Sequence, residues 1–122
     1  MPLAKNMMGG GLSPAQAMAI NGGNINSAVA AAGTTQGTAT ELTADLVIVT
    51  SGGADAGVRL YSGVLGDSQE VFNNQLVNVK VYPPTSGTIN QIAANGAHTL
   101  GAKTSAIYKK VTSTAWVAYQ SA

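Results

Sequence analysis

The chain has 122 residues, enough for one domain, and only 9% of them are Asp, Glu, Lys or Arg, against about 25% in an average soluble protein. A formal net charge of +1, with no basic cluster beyond Lys109-Lys110, argues against nucleic acid as a direct partner. Cysteine is absent, which excludes disulfides and thiolate metal sites, and no apolar run approaches the ~18 residues that span a bilayer.

So few charges leave Thr, Ser, Asn, Gln and Gly to keep the surface wet. A surface that lies largely against other subunits would explain this, because charges are depleted at interfaces. A neutral, polar extracellular β-protein is the alternative. The start, Met1-Pro2-Leu3-Ala4-Lys5, lacks the apolar segment of a secretory signal, so a soluble product made in a cytoplasm is expected.

Residues 1–33 read as an N-terminal arm with one short helix. Met7-Met8-Gly9-Gly10-Gly11 is apolar without periodicity. Ser13 then suits a helix N-cap, Pro14 the first helical position, and Gln16 completes a capping-box spacing. Asn21-Gly22-Gly23 supplies the stop. A helix over Ser13 to Ile20 is about two turns long and is not stable alone in water, so it must dock. The residues available for such contact are Met1, Pro2, Leu3, Met7, Met8, Leu12, Met18 and Ile20. Ala28 to Ala32 fits either a second short helix or a strand.

Residues 34–122 read as a β-domain. Turn residues recur every eight to twelve positions, the spacing of an all-β sandwich or barrel. Leu46-Val47-Ile48-Val49 is continuously apolar and suits a strand buried on both faces. Val58 to Tyr61 and Gln69 to Phe72 follow, the latter broken at Asn73-Asn74. Val77-Asn78-Val79-Lys80-Val81-Tyr82 alternates cleanly and sets three valines on one face. Pro83-Pro84 then ends pairing. Ile89 to Ala93 and Ala97 to Leu100 flank Asn95-Gly96, a hairpin signal. Ser105 to Val111 and Ala115 to Tyr119 close the chain around a Thr112-Ser113-Thr114 turn. The expected fold is an antiparallel β-sandwich or jelly roll of about eight short strands.

The core residues are mostly Ala, Val and Thr, with Phe72, Trp116 and four tyrosines as the large groups. At about 25 cal/mol per Å² of buried apolar surface, such a core gains less per residue than one of Leu and Phe. Association would add burial. The expected interface residues are Val47, Val49, Tyr108, Trp116 and Tyr119.

Catalytic chemistry finds little support. His98 is the sole histidine, beside a turn, and no Gly-x-Ser-x-Gly elbow accompanies it. Glu41, Asp45, Asp55, Asp67 and Glu70 all fall at or near turns and strand ends, where acids ordinarily solvate a fold. One histidine, no cysteine and no calcium-loop spacing leave no metal site, and no cofactor is expected. Gly96 to Thr104 approaches a phosphate-binding loop, but Ala102 separates Gly101 from Lys103 and a strand follows where a helix is required. Tyr61, Tyr82, Tyr108, Trp116 and Tyr119 could line a sugar-binding face or serve packing.

The segment Ala31 to Asp45 resembles the Gly-x-Thr-Gln-x-x-Ala-x-x-Leu-Thr-Ala-Asp opening of a family of small tailed-phage virion proteins. Gly57-Val58-Arg59-Leu60 is similar to that family's next strand. Val79 to Asn90 resembles its Val-Tyr-Pro-x-x-Gly-x-x-Ile-Asn signature, and Lys103 to Ala106 with Trp116 its closing hairpin. Gln16 to Gly22 also matches. Tyr61-Ser62 departs from the pattern, where a proline would be expected.

The resemblance implies a capsid decoration (cement) protein or head-fibre module, a non-enzymatic and typically trimeric β-protein on the exterior of the virion. Its partner would be the major capsid protein, reached through the arm and short helix. A head- or tail-fibre module that binds a receptor or glycan through Tyr61, Tyr82 or Tyr119 is the alternative. An enzyme such as a glycan depolymerase is the third reading.

Overall fold

The computed structural model describes residues 25–121. The arm Met1 to Gly11 and the helix expected over Ser13 to Ile20 lie outside the described residues. Within them the chain is all-β, with no helix. Ten strands follow one another: β1 (Ile25–Ala30), β2 (Thr40–Glu41), β3 (Leu46–Ser51), β4 (Gly57–Arg59), β5 (Ser68–Asn73), β6 (Val79–Tyr82), β7 (Thr88–Ile89), β8 (His98–Leu100), β9 (Ser105–Lys110) and β10 (Ala115–Gln120). The ambiguous Ala28 to Ala32 is thus the end of a strand and its exit. Residues 25–30, read above with the arm, belong to the sheet.

Successive strands alternate between two sheets. β1, β3 and β5 enter sheet A, whereas β2, β4 and β6 enter sheet B. The chain therefore winds three times, and like strands of successive windings run parallel: β1 beside β3, β3 beside β5, β2 beside β4 and β4 beside β6. The last four strands close this solenoid-like body. β8 pairs antiparallel with β6, β9 antiparallel with β5, and β10 antiparallel with β9 and parallel with β7. Sheet A has the order β1-β3-β5-β9-β10-β7 and sheet B the order β2-β4-β6-β8.

The expected antiparallel sandwich is corrected by this topology, since five of the eight ladders are parallel. Alternation and turn spacing carry no record of strand direction. A parallel neighbour needs a return path. Here a strand of the opposite sheet provides it, where many proteins use a helix. The Asn95-Gly96 hairpin is corrected for the same reason: β7 lies in sheet A and β8 in sheet B, so the flanking strands do not pair. Asn95 adopts φ +60°, donates its N–H to the Gly87 carbonyl, and accepts from the Ser86 N–H on Oδ1 at 2.6 Å. It staples a corner. The Thr112 to Thr114 turn does join two paired strands, with Thr112 Oγ1 accepting from the Ala115 N–H at 3.0 Å.

Between the sheets lie Val29, Val47, Val49 and Val71 from one side, and Leu42, Val58, Leu60, Val79, Val81 and Leu100 from the other. Tyr108 and Trp116 are the large groups of this interior. Two buried amides of β5 accompany them. Gln69 donates to the Ala44 carbonyl at 2.8 Å and accepts from the Tyr61 N–H. Asn73 donates to the carbonyls of Val77, Leu100 and Gly101 at 2.7 to 3.2 Å. Buried carbonyls of irregular chain are costly when unpaired, and these two side chains satisfy four of them.

Candidate functional site

The two sheets present different exteriors. On sheet A the alternate positions form a row across five strands. Strand register aligns Ile25 of β1, Leu46 of β3, Glu70 of β5, Ile107 of β9 and Tyr119 of β10. A second row sets Ile48 beside Phe72 and Ser105. A third sets Ser68 beside Lys109 and Val117. Ile25 is 61% exposed, Tyr119 60% and Ile107 41%, while Leu46, Ile48, Phe72 and Val117 are half-buried. Leu46 to Val49 was expected to be covered on both faces. In the structure its outer residues, Leu46 and Ile48, keep part of their surface open. Glu70 and Lys109 are the charged residues of these rows.

The exterior of sheet B is polar and covers itself. Arg59 Nη2 lies 3.4 Å from Glu41 Oε2, and Arg59 Nη1 donates to the Gln36 carbonyl at 3.1 Å. Lys80 donates to Thr99 Oγ1 at 2.8 Å and stands 3.9 Å from Asp55. Tyr82 lies flat enough over Gly57 that a Cβ there would sit 2.7 Å from its ring, and its hydroxyl donates to the Thr34 carbonyl at 2.8 Å. Gln36 Nε2 donates to the Pro83 carbonyl at 3.2 Å. The Gly33 to Asp45 and Val79 to Asn90 segments, far apart in sequence, thus meet on this side.

The residues expected at a subunit interface divide sharply. Val47, Val49 and Tyr108 are 0% exposed and Trp116 is 1% exposed, all packed in the chain's own interior. They point between the sheets, so they are corrected from interface to core, and Tyr119 alone of the five is at the surface. Tyr82 is likewise buried and leaves the set of rim aromatics. Tyr61 is half-buried. Its hydroxyl donates to Asp67 Oδ2 at 3.3 Å, and burial together with the Asp67 and Asp45 charges pushes its pKa up to about 12. The arm residues Met1, Pro2, Leu3, Met7, Met8, Leu12, Met18 and Ile20 lie outside the described residues.

His98 is tied to the core. Its Nδ1 and the Tyr108 hydroxyl are 2.8 Å apart, and the rings meet edge to face at 5.6 Å. With the imidazole neutral, the buried hydroxyl donates to Nδ1. Burial holds the imidazole pKa below its ordinary value, opposed by a hydrogen bond to Gln120, and burial pushes the Tyr108 hydroxyl up. Among the described residues no carboxylate is hydrogen-bonded to this imidazole. Among the described residues no group of three His, Asp or Glu side chains could hold a metal ion. Among the described residues there is no helix long and apolar enough to cross a membrane.

Among the described residues, a recess of about 400 Å³ lies at the β7–β10 margin of sheet A. Asn90 and Gln91 border it on one side and Val111, Thr112 and Val117 on the other. Asn90 and Gln91 both hold positive φ, at +50° and +62°, and Asn90 Oδ1 accepts from the Ala118 N–H at 2.9 Å. Sequence reading missed this corner because β7 pairs parallel with β10 and nothing local announces that contact. It also missed the amides of Gln69 and Asn73. The available signal was their spacing with Val71, at i, i+2 and i+4, which marks one strand face. The chain matches no family model and no curated protein.

Proposed function

We propose that this chain is a non-enzymatic structural module of a phage virion, a decoration protein that associates with its own copies and binds across neighbouring major capsid subunits. The observation that carries the reading is the exterior of sheet A, where Ile25, Ile107 and Tyr119 stand exposed among half-buried Leu46, Ile48 and Phe72. Apolar side chains gathered on one sheet face in this way support a contact surface. The scarcity of charge supports it. So does the resemblance over Ala31 to Asp45 and Val79 to Asn90, whose segments the fold brings together.

In this role the module acts mechanically. Each docked copy adds buried area across a junction between capsid subunits and raises the work needed to separate them under internal pressure. Residues 1–20, read from the sequence as an arm with a short helix, are the part proposed to make the capsid contact. The test is co-sedimentation of the purified full-length chain with phage heads that lack it. Saturable binding that raises the temperature of head disruption is expected. Heads that neither bind the chain nor gain thermal resistance would refute the reading.

A second reading, a fibre module that binds a receptor glycan, draws on the recess between Asn90-Gln91 and Val111-Val117, which sets amide donors beside apolar walls. Glycan-array binding that is lost in Gln91→Ala would favour it over the decoration role.

A further inference from the structure

We propose that the exterior of sheet A is a self-association face, on which a second copy of this chain packs about a two-fold axis lying in the plane of the contact. The inference does not depend on whether the larger partner is a capsid.

The area is sufficient. Five six-residue strands spaced about 4.8 Å apart, each some 20 Å long, give a face of roughly 500 Å² in projection, or about 1,000 Å² for two copies. That reaches the lower bound of a specific protein interface. Its composition suits the purpose, with Ile25, Leu46, Ile48, Phe72, Ile107 and Tyr119 as the apolar groups.

Charge selects the occupant. Glu70 and Lys109 are diagonal neighbours, because Glu70 is in register with Ile107 and Lys109 lies two residues further along β9. Such diagonal positions are about 7–8 Å apart. Among the described residues neither takes part in an ion pair, whereas Glu41 on β2 and Asp55 in the turn before β4 both do. A two-fold axis passing midway between them sets Glu70 of each copy against Lys109 of the other, twice over. Isologous contacts have this reciprocity: where i meets j, j meets i. Both charges of the face are then paired across the contact as it is covered, which burial requires.

The test uses the full-length chain and two charge reversals, Glu70→Lys and Lys109→Glu, in sedimentation over a dilution series. The unmodified chain should form a species of twice the 12.2 kDa chain mass. Each single variant sets like charges opposite each other and should weaken self-association by roughly tenfold or more. Mixing the two singles should restore a dimer, because every cross-contact in the mixed pair is again unlike. That rescue in trans cannot arise from an interaction within one chain. Circular dichroism of each single variant verifies the β-fold; if either fails to fold, Ile107→Ser in the full chain, expected to dissociate the dimer, replaces it. A monomer at all concentrations, a species of three chains, or a mixture no more associated than its components would overturn the proposal.

Discussion

The two exteriors of this small β-protein are built on the same winding yet end in opposite states. Sheet B is finished within the chain. Its acids have basic neighbours, its glycine is roofed by Tyr82, and its connecting turn is pinned by Gln36. Sheet A is unfinished, with isoleucine and tyrosine facing outward and one acid and one lysine left without an ion-pair partner among the described residues. The difference teaches that composition averages over surfaces. A charge content of 9% does not describe a uniformly bland molecule; it describes one side with paired charges and one side with exposed apolar groups.

The comparison can be broken at its shared interior or sharpened on either face. The largest effect should come from Trp116→Ala, which empties the largest buried side chain and should cost about 3–5 kcal/mol in the urea unfolding free energy. Both faces rest on that interior, so both should fail together. Gly57→Val should cost about 1–3 kcal/mol, because the new side chain meets the Tyr82 ring where only hydrogen fits now. Its effect on self-association should be small, since it acts on the finished side.

Acid should loosen the interior by way of His98. Folding lowers this imidazole's pKa through burial, so the folded state prefers it neutral. Its contribution is complete above the unfolded value of 6.5 and is lost as pH falls below that value. The melting temperature should therefore fall on moving from pH 8 to pH 5, with a smaller fall in His98→Gln. An identical decline in the two proteins would remove His98 from the explanation.

Smaller still is Glu41→Gln, which breaks a partly exposed pair with Arg59 and should cost no more than about 1 kcal/mol by thermal unfolding. Ile107→Ser should have the least effect on the unfolding free energy of the monomer, within about 0.5 kcal/mol, and yet remove self-association. That pairing of negligible stability loss with lost assembly is what separates an interface residue from a core residue.

Local chemistry was enough to find most strands. The apolar run at Leu46 to Val49, the alternation through Val79 to Tyr82 and the Thr112 turn between β9 and β10 all appear near their expected positions. The all-β character of the described residues followed from turn spacing. β1 and β2 were not legible as strands, because Ile25 to Ala30 is largely exposed and Thr40–Glu41 is two residues long. Neither has a pattern of its own; each exists because a parallel neighbour offers it hydrogen bonds.

What the sequence by itself determined was the punctuation: where strands begin and stop, and that small aliphatic groups would fill the interior. These depend on backbone preferences and on side-chain alternation over a few residues. Only the tertiary structure decided which way neighbouring strands run, that Trp116 and Tyr108 point inward, and that Ile107 and Tyr119 point outward beside Glu70. An alternating strand has two candidate faces, and which one meets the opposite sheet is set by contacts between residues tens of positions apart. The side left uncovered is a consequence of that choice.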